Sequence, residues 1–245
     1  MQCDMRYKAV IFDMDGTILD TSEDLAAAIN YALAKFGHRS DFPVDDVCLF
    51  FGSGAHTAIQ RALARESGMS REEILEIGSA VSGAVPGIDE DEVQRILEIY
   101  QPYYKAHNAI RTCAYPGIKK LLIRLREAGV LTAVVSNKPD NSVTQLAEDY
   151  FGGLFDLAIG ETAGIARKPA PDMNYLILDK LGVSAEDAVY VGDTEIDIAT
   201  ARNTGMDVIM VNWGFRPRAE LEALGAKVFV DTADEIFTWV AKGVG

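Results

Sequence analysis

From Pro116 onward, short apolar runs alternate with helical stretches, and few folds accept that alternation. Val130 to Val135, Asp156 to Ile159, Ala188 to Val191, Asp207 to Val211 and Lys227 to Val230 read as strands. A helix opened by Pro116-Gly117 runs to about Ala128. Others run from about Asp140 to Tyr150 and from Asp172 to Leu181, and another begins after Gly192. Strands joined by helices at this spacing pair in parallel through right-handed crossovers. One further strand, Ala9 to Phe12, stands far upstream of its partners.

Between that strand and the rest, no stretch reads convincingly as a strand. Thr21 or Ser22 is a candidate cap for a helix over Glu23 to Phe36, which Gly37 ends. Pro43 to Phe51 reads as a short helix, Ala55 to Glu66 as a longer one, and Asp89 to about His107 as the longest. Ser70 and Glu73 have the spacing of a capping box. Gly83 to Gly87 reads as a turn-rich break. The expected architecture is therefore α/β: a Rossmann-like parallel sheet core from residues 1–20 and 112–245, with an all-helical cap inserted over residues 21–111. Hinged near Asp20 and Arg111, such an insert can close over a bound molecule and exclude water. The loop Gly52-Ser53-Gly54 is the candidate for its contact with a ligand, because glycine permits close approach and a helix starts just after it. The same three residues read equally well as a plain interhelical turn.

Polar residues gather at the ends of the strands. Asp13, Asp15 and Thr17 follow the first, Ser136 and Asn137 the next, Lys168 lies in a later loop, and Asp193 and Asp197 follow Ala188 to Val191. Taken one at a time they read as turns, caps or solvated side chains. Taken in order they fall on one edge of a doubly wound sheet, where such sheets bind ligands. Residues two apart on an extended backbone share a face, which pairs Asp13 with Asp15. Carboxylates with a hydroxyl and a lysine suit a hard cation and a phosphoryl group. Mg²⁺ takes oxygen ligands, here from Asp13, Asp193 and the Asp15 carbonyl. Lys168 and Ser136 can hold phosphoryl oxygens, Asp13 can attack phosphorus, and Asp15 can move protons.

Composition narrows the partners. The net charge of −14 argues against a nucleic-acid or anionic-membrane surface, so an anionic substrate needs local positive charge. No apolar stretch is long enough to span a bilayer, and Met1 to Lys8 carries no signal-peptide pattern. Cys3, Cys48 and Cys113 are odd in number and far apart, which fits a reducing cytoplasm better than a disulfide framework. His38, His56 and His107 are scattered and imply no Ser/His/Asp arrangement.

Along nearly its whole length the sequence resembles the haloacid dehalogenase superfamily. The matching motifs are Asp13-Met14-Asp15-Gly16-Thr17, Ser136-Asn137, Lys168-Pro169, and Gly192-Asp193 with Asp197. The resemblance implies Asp13 as nucleophile, Asp15 as acid/base, and Ser136 and Lys168 as phosphate ligands, with Thr17 and Asn137 beside them. It implies Mg²⁺ on Asp13, Asp15 and Asp193, with Asp197 supporting the metal site. Dehalogenases of the superfamily lack the second acid, so Asp15 points to phosphoryl transfer. Gly52-Ser53-Gly54-Ala55, Tyr115-Pro116-Gly117, Ser136 to Pro139, Val191 to Asp197 and Val211 to Phe215 look most like phosphoglycolate phosphatases, although Ser53 stands where many of those carry Asn. The expected activity is Mg²⁺-dependent hydrolysis of a small phosphorylated metabolite, 2-phosphoglycolate first, in the cytoplasm. A phosphosugar mutase, a pyrophosphatase and a catalytically idle binding protein on this fold are the alternatives.

Overall fold

A computed structural model of the chain describes residues 5–78 and 85–243. Among them, β1 (Ala9–Phe12) and β2 (Leu19–Asp20) precede five helices: α1 (Ser22–Ala34), α2 (Val44–Phe50), α3 (Ala55–Glu66), α4 (Arg71–Glu76) and α5 (Glu90–His107). There follow β3 (Cys113–Ala114), α6 (Ile118–Glu127), β4 (Leu131–Pro139), α7 (Asp140–Phe151), β5 (Leu157–Glu161) and α8 (Asp172–Leu181). The chain closes with β6 (Ala188–Gly192), α9 (Glu195–Thr204), β7 (Asp207–Val211), α10 (Arg218–Ala223), β8 (Phe229–Val230) and α11 (Ala233–Lys242). It divides into two compact units, Met1–Asp20 with Cys113–Gly245, and Thr21–Thr112.

The first unit holds a six-stranded sheet in the order β5-β4-β1-β6-β7-β8, parallel at every pairing. The chain builds outward from β1 through β4 to β5, then returns to β6 and builds the other way. The reversal falls at β1, where Phe12 pairs with Val134 on one side and Val191 on the other. This is the place on such a sheet where a crevice opens beyond the strand ends. Alternate side chains leave opposite faces. Val10, Phe12, Val134, Val189 and Val191 join one core with α6, α7 and α11. Ala9, Ile11, Ala133, Val135 and Tyr190 join another with α8 and α9. Burial on both faces explains why the central strands are unbroken apolar runs.

The strands differ from the sequence reading in three places. β4 does not stop at Val135 but runs on to Pro139, with a register shift before Pro139 pairs with Glu161. Its buried extension carries Ser136, Asn137 and Lys138 inside the sheet's own edge. β8 is only Phe229–Val230. Leu19–Asp20, expected as loop, pairs antiparallel with Cys113–Ala114. That ribbon joins segments far apart in sequence, so no local pattern announces it.

The second unit is helical, with α1 packed along α5. Thr21 stands at the N-cap of α1 without making a side-chain capping bond, whereas Ser70 and Glu73 close the expected box at α4. Residues 83 and 84 of the expected turn-rich break lie outside the described residues, as does Cys3. Arg61 of α3 is fully buried. Its guanidinium donates to the carbonyls of Leu49, Phe50, Leu75 and Ile77, at 2.9–3.4 Å. Helices end with unpaired carbonyls, and here one arginine serves the ends of both α2 and α4.

Candidate active site

The chain leaves β1 at Asp13 and turns back at once. The Met14 carbonyl accepts from the N–H groups of Thr17, Ile18 and Leu19, at 3.3, 3.0 and 3.0 Å. Gly16 sits in this turn at φ 81°, a conformation L side chains rarely adopt. A Cβ there would also lie 2.2 Å from Asp193 Oδ2. Glycine is thus required by conformation and by space, and the tight turn brings Asp13 and Thr17 against the end of β6.

Lys168 comes from the loop between β5 and α8 and is buried. Its ammonium has three protons and three oxygen neighbours: Asp13 Oδ1 at 2.8 Å, Asp197 Oδ1 at 2.9 Å and the Tyr190 hydroxyl at 3.0 Å. Burial works against this charge, but Asp13 and Asp197 together outweigh it and hold the lysine pKa well above its ordinary value. Asn137 Nδ2 donates to the Lys168 carbonyl at 3.0 Å, fixing the loop that delivers the lysine.

Asp193 follows β6 and is fully buried. Its Oδ1 accepts from the Thr17 hydroxyl at 2.8 Å and its Oδ2 from the Phe215 N–H at 2.8 Å. The capping residue of α9 is Thr194, boxed with Asp197. Asp197 Oδ2 accepts from the N–H of Asp193 and Thr194 and from the Thr194 hydroxyl, at 3.1, 3.0 and 2.9 Å. Both Asp197 oxygens are therefore occupied by donors from the protein, and the residue locks the start of α9 to Lys168.

The three carboxylates of Asp13, Asp193 and Asp197 are buried and offer oxygens all within 4.8 Å of one another. Burial pushes the Asp13 carboxyl up to about 7, with Lys168 pulling down and Asp197 and Asp15 pushing up. Burial and the neighbouring Asp197 and Asp13 push Asp193 well above the usual carboxylate range. Three carboxylates face one ammonium, which leaves an excess of two negative charges when all are ionised. An all-oxygen donor set with that excess fits a hard divalent cation.

Asp15 pairs with Lys138, whose ammonium lies 2.9 Å from Asp15 Oδ1 and is itself nearly buried. Ser136 lies two residues beyond Val134, the partner of Phe12, and its hydroxyl accepts from the Lys138 N–H at 3.3 Å. The fold thus brings together Asp13, Thr17, Asn137, Lys168, Asp193 and Asp197, and sets the Asp15–Lys138 pair on the same turn and strand end. Gly52, Ser53 and Gly54 belong to the helical unit, as the turn between α2 and α3. Sequence reasoning missed the roles of Lys138, Tyr190 and the Phe215 N–H. The rule that pairs Asp13 with Asp15 would have paired Ser136 with Lys138. A phenol in the apolar run of β6 would have signalled a hidden hydrogen-bond partner. The Phe215 contact is made by backbone and leaves no trace in side-chain chemistry.

The haloacid dehalogenase-like hydrolase family matches this chain over residues 10–211, and the chain belongs to that family. Within it the chain is a phosphoglycolate phosphatase-like hydrolase. Phosphoglycolate phosphatase 1 of Pseudomonas aeruginosa is 32% identical over 217 residues, covering 87% of this chain and 73% of the relative. Phosphoglycolate phosphatase of Pseudomonas savastanoi pv. phaseolicola is 31% identical over the same shares. A crystal structure from Lactobacillus delbrueckii subsp. bulgaricus, provisionally assigned as a phosphoglycolate phosphatase, superposes with a TM-score of 0.93. It is 52% identical, covering 96% of this chain and 98% of that one.

Proposed function

We propose that this chain is a Mg²⁺-dependent phosphatase that hydrolyses a small phosphomonoester, 2-phosphoglycolate first, through a phosphoryl group carried on Asp13. The observation that carries the reading is the buried group of Asp13, Asp193 and Asp197 built around Lys168 at the reversal point of the sheet. Asp13, Asp193 and the Asp15 carbonyl would hold Mg²⁺, with Asp197 supporting them. When bound, the cation offsets the repulsion between the Asp13 carboxylate and an anionic phosphate.

In the first step an Asp13 oxygen forms a bond to phosphorus as the bond from phosphorus to the leaving oxygen breaks. Lys168 turns protons from Asp13 toward phosphoryl oxygens, and Ser136 adds a hydroxyl. Asp15 gives a proton to the departing alkoxide. In the second step Asp15 takes a proton from water, the water oxygen bonds to phosphorus, and the Asp13–phosphorus bond breaks to release phosphate. Thr17 and Asn137 act by holding Asp193 and the Lys168 loop, a reading drawn from their hydrogen bonds. Residues 21–111 serve as the cap, with Gly52, Ser53 and Gly54 as its loop toward substrate. Among the described residues, Cys48 and Cys113 form no disulfide, which suits work in the cytoplasm.

The test is phosphate release from a panel of phosphomonoesters and pyrophosphate, with Mg²⁺ and with a chelator. A Mg²⁺-dependent preference for 2-phosphoglycolate is expected. Preference for pyrophosphate, or release only after a bisphosphorylated sugar is added, would replace the substrate assignment. Release undiminished by chelator would overturn the metal assignment.

A further inference from the structure

Asp193 is held from the side opposite β1 by a loop whose own anchor lies outside the group of acids. The Phe215 N–H donates to Asp193 Oδ2 at 2.8 Å, and the Trp213 indole N–H donates to the Thr17 carbonyl at 3.1 Å. Gly214 lies so close that a Cβ there would stand 2.1 Å from Asp193 Cβ. The next residue, Arg216, is 2% exposed. Its Nε donates to Glu195 Oε2 at 2.8 Å and its Nη2 to Glu195 Oε1 at 3.1 Å. Glu195 is the first residue of α9, two positions beyond Asp193.

We infer that the paired Arg216–Glu195 bridge is a positioning latch for the metal ligand Asp193. Both ends of the bridge sit beside that carboxylate in sequence, one on the loop that hydrogen-bonds it and one on the helix that follows it. The two parallel bonds of a guanidinium on a carboxylate fix orientation as well as distance. Arg216 is buried in the protein while the Glu195 side chain keeps partial exposure, at 1% and 19%. Removing Glu195 therefore takes both bonds of this fork from a buried guanidinium, and the loop that carries it is expected to shift. With the loop displaced, the Phe215 N–H leaves Asp193 Oδ2, and that carboxylate keeps the Thr17 hydroxyl on Oδ1 but loses the second bond that fixed its orientation. Neither residue touches substrate or metal in this account; both act through Phe215 and Gly214. The inference rests on Asp193 as a metal ligand, proposed above, and not on the identity of the substrate.

The experiment measures divalent-ion binding without substrate, by calorimetry with Mg²⁺ and by electron paramagnetic resonance with Mn²⁺. The proteins are the wild type, Arg216→Gln, Glu195→Gln and the double variant. Arg218→Gln is the control, because its pair with Glu222 is exposed. Partners that orient metal ligands typically carry a roughly tenfold or greater share of metal affinity. Each single variant is expected to weaken both ions by about that factor, the double variant by no more than either, and the control not at all. Arg216→Lys, which keeps the charge but not the fork, is expected to fall between wild type and Arg216→Gln; it is also the readout if Arg216→Gln does not fold. Unchanged ion affinity in the variants that fold, even with a lower melting temperature, would overturn the latch and leave a merely structural bridge. A wild type that binds neither ion would overturn it as well. A wild type that binds Mg²⁺ but releases no phosphate would sink the phosphatase reading and leave the latch standing.

Discussion

Lys168 spends its three protons on Asp13, Asp197 and Tyr190, which ties the proposed nucleophile to the start of α9 and to β6. Asp13→Asn removes the carboxylate proposed to attack phosphorus while keeping the shape. Phosphate release is expected to fall by ~10⁴-fold or more, with the fold retained by circular dichroism. Activity near that of the wild type would remove Asp13 as nucleophile. Acidity gives a second test. Burial places the Asp13 carboxyl at about 7 in the folded protein and raises Asp193 as well, while both are ordinary carboxylates once unfolded. A carboxyl whose folded value is raised contributes stability that is full below the unfolded value and is lost as pH climbs toward the folded one. The metal-free protein therefore loses this contribution between about pH 4 and about pH 7. Mg²⁺ needs the same groups deprotonated, so its stabilising effect runs the other way. The rise in melting temperature given by Mg²⁺ over chelator is expected to be small near pH 6 and larger near pH 8. An equal rise at both would show that these two carboxyls do not compete for protons and metal.

The helices and strands were legible to the extent that their signals are local. α3 and α8 fall where apolar spacing and breakers put them, and the capping box at α4 was readable from Ser70 and Glu73 alone. Ser136, Asn137 and Lys138 look like a turn in the sequence, and β4 runs through them because it pairs with β5 on either side, Val135 with Ile159 and Pro139 with Glu161. The ribbon of β2 and β3 needed a partner some ninety residues away and was not readable at all. The acids and Lys168 were legible because each follows a strand. Lys138, Tyr190 and Arg216 were not, because their roles depend on neighbours from other strands and loops. Arg61 is the same lesson in the helical unit: it lies on an amphipathic helix, yet its guanidinium ends two others. Arg61→Met keeps the stem and removes every donor, leaving buried carbonyls unpaired. Destabilisation of about 3 kcal/mol is expected, read as a lower denaturant midpoint. A change below about 0.5 kcal/mol would show that water replaces the arginine at those helix ends.

The chain leaves the sheet unit at Asp20 and re-enters it at Cys113, and those two residues face each other across β2 and β3. The helical unit is therefore inserted at a single narrow gate and not woven through the sheet. Asp24 ties its two ends together. This buried carboxylate accepts from the N–H groups of Ile110, Arg111 and Thr112, at 2.9–3.0 Å, and from the Thr112 hydroxyl at 2.9 Å. None of Asp13, Asp15, Ser136, Lys168, Asp193 or Asp197 lies within the insert. The proposed division of labour follows: the sheet unit supplies the reaction and residues 21–111 supply the choice of substrate. Because Asp20 and Cys113 are already paired, a short linker can replace residues 21–111 without stretching the sheet unit. Such a protein is expected to keep Mg²⁺-dependent release from an activated aryl phosphate. Its preference for the best physiological substrate over that ester is expected to fall by about tenfold or more. The comparison is the ratio of kcat/KM for the two esters, measured beside the full chain, with circular dichroism showing that the sheet unit has folded. An unchanged ratio would place selection in the sheet unit and remove the insert as selector.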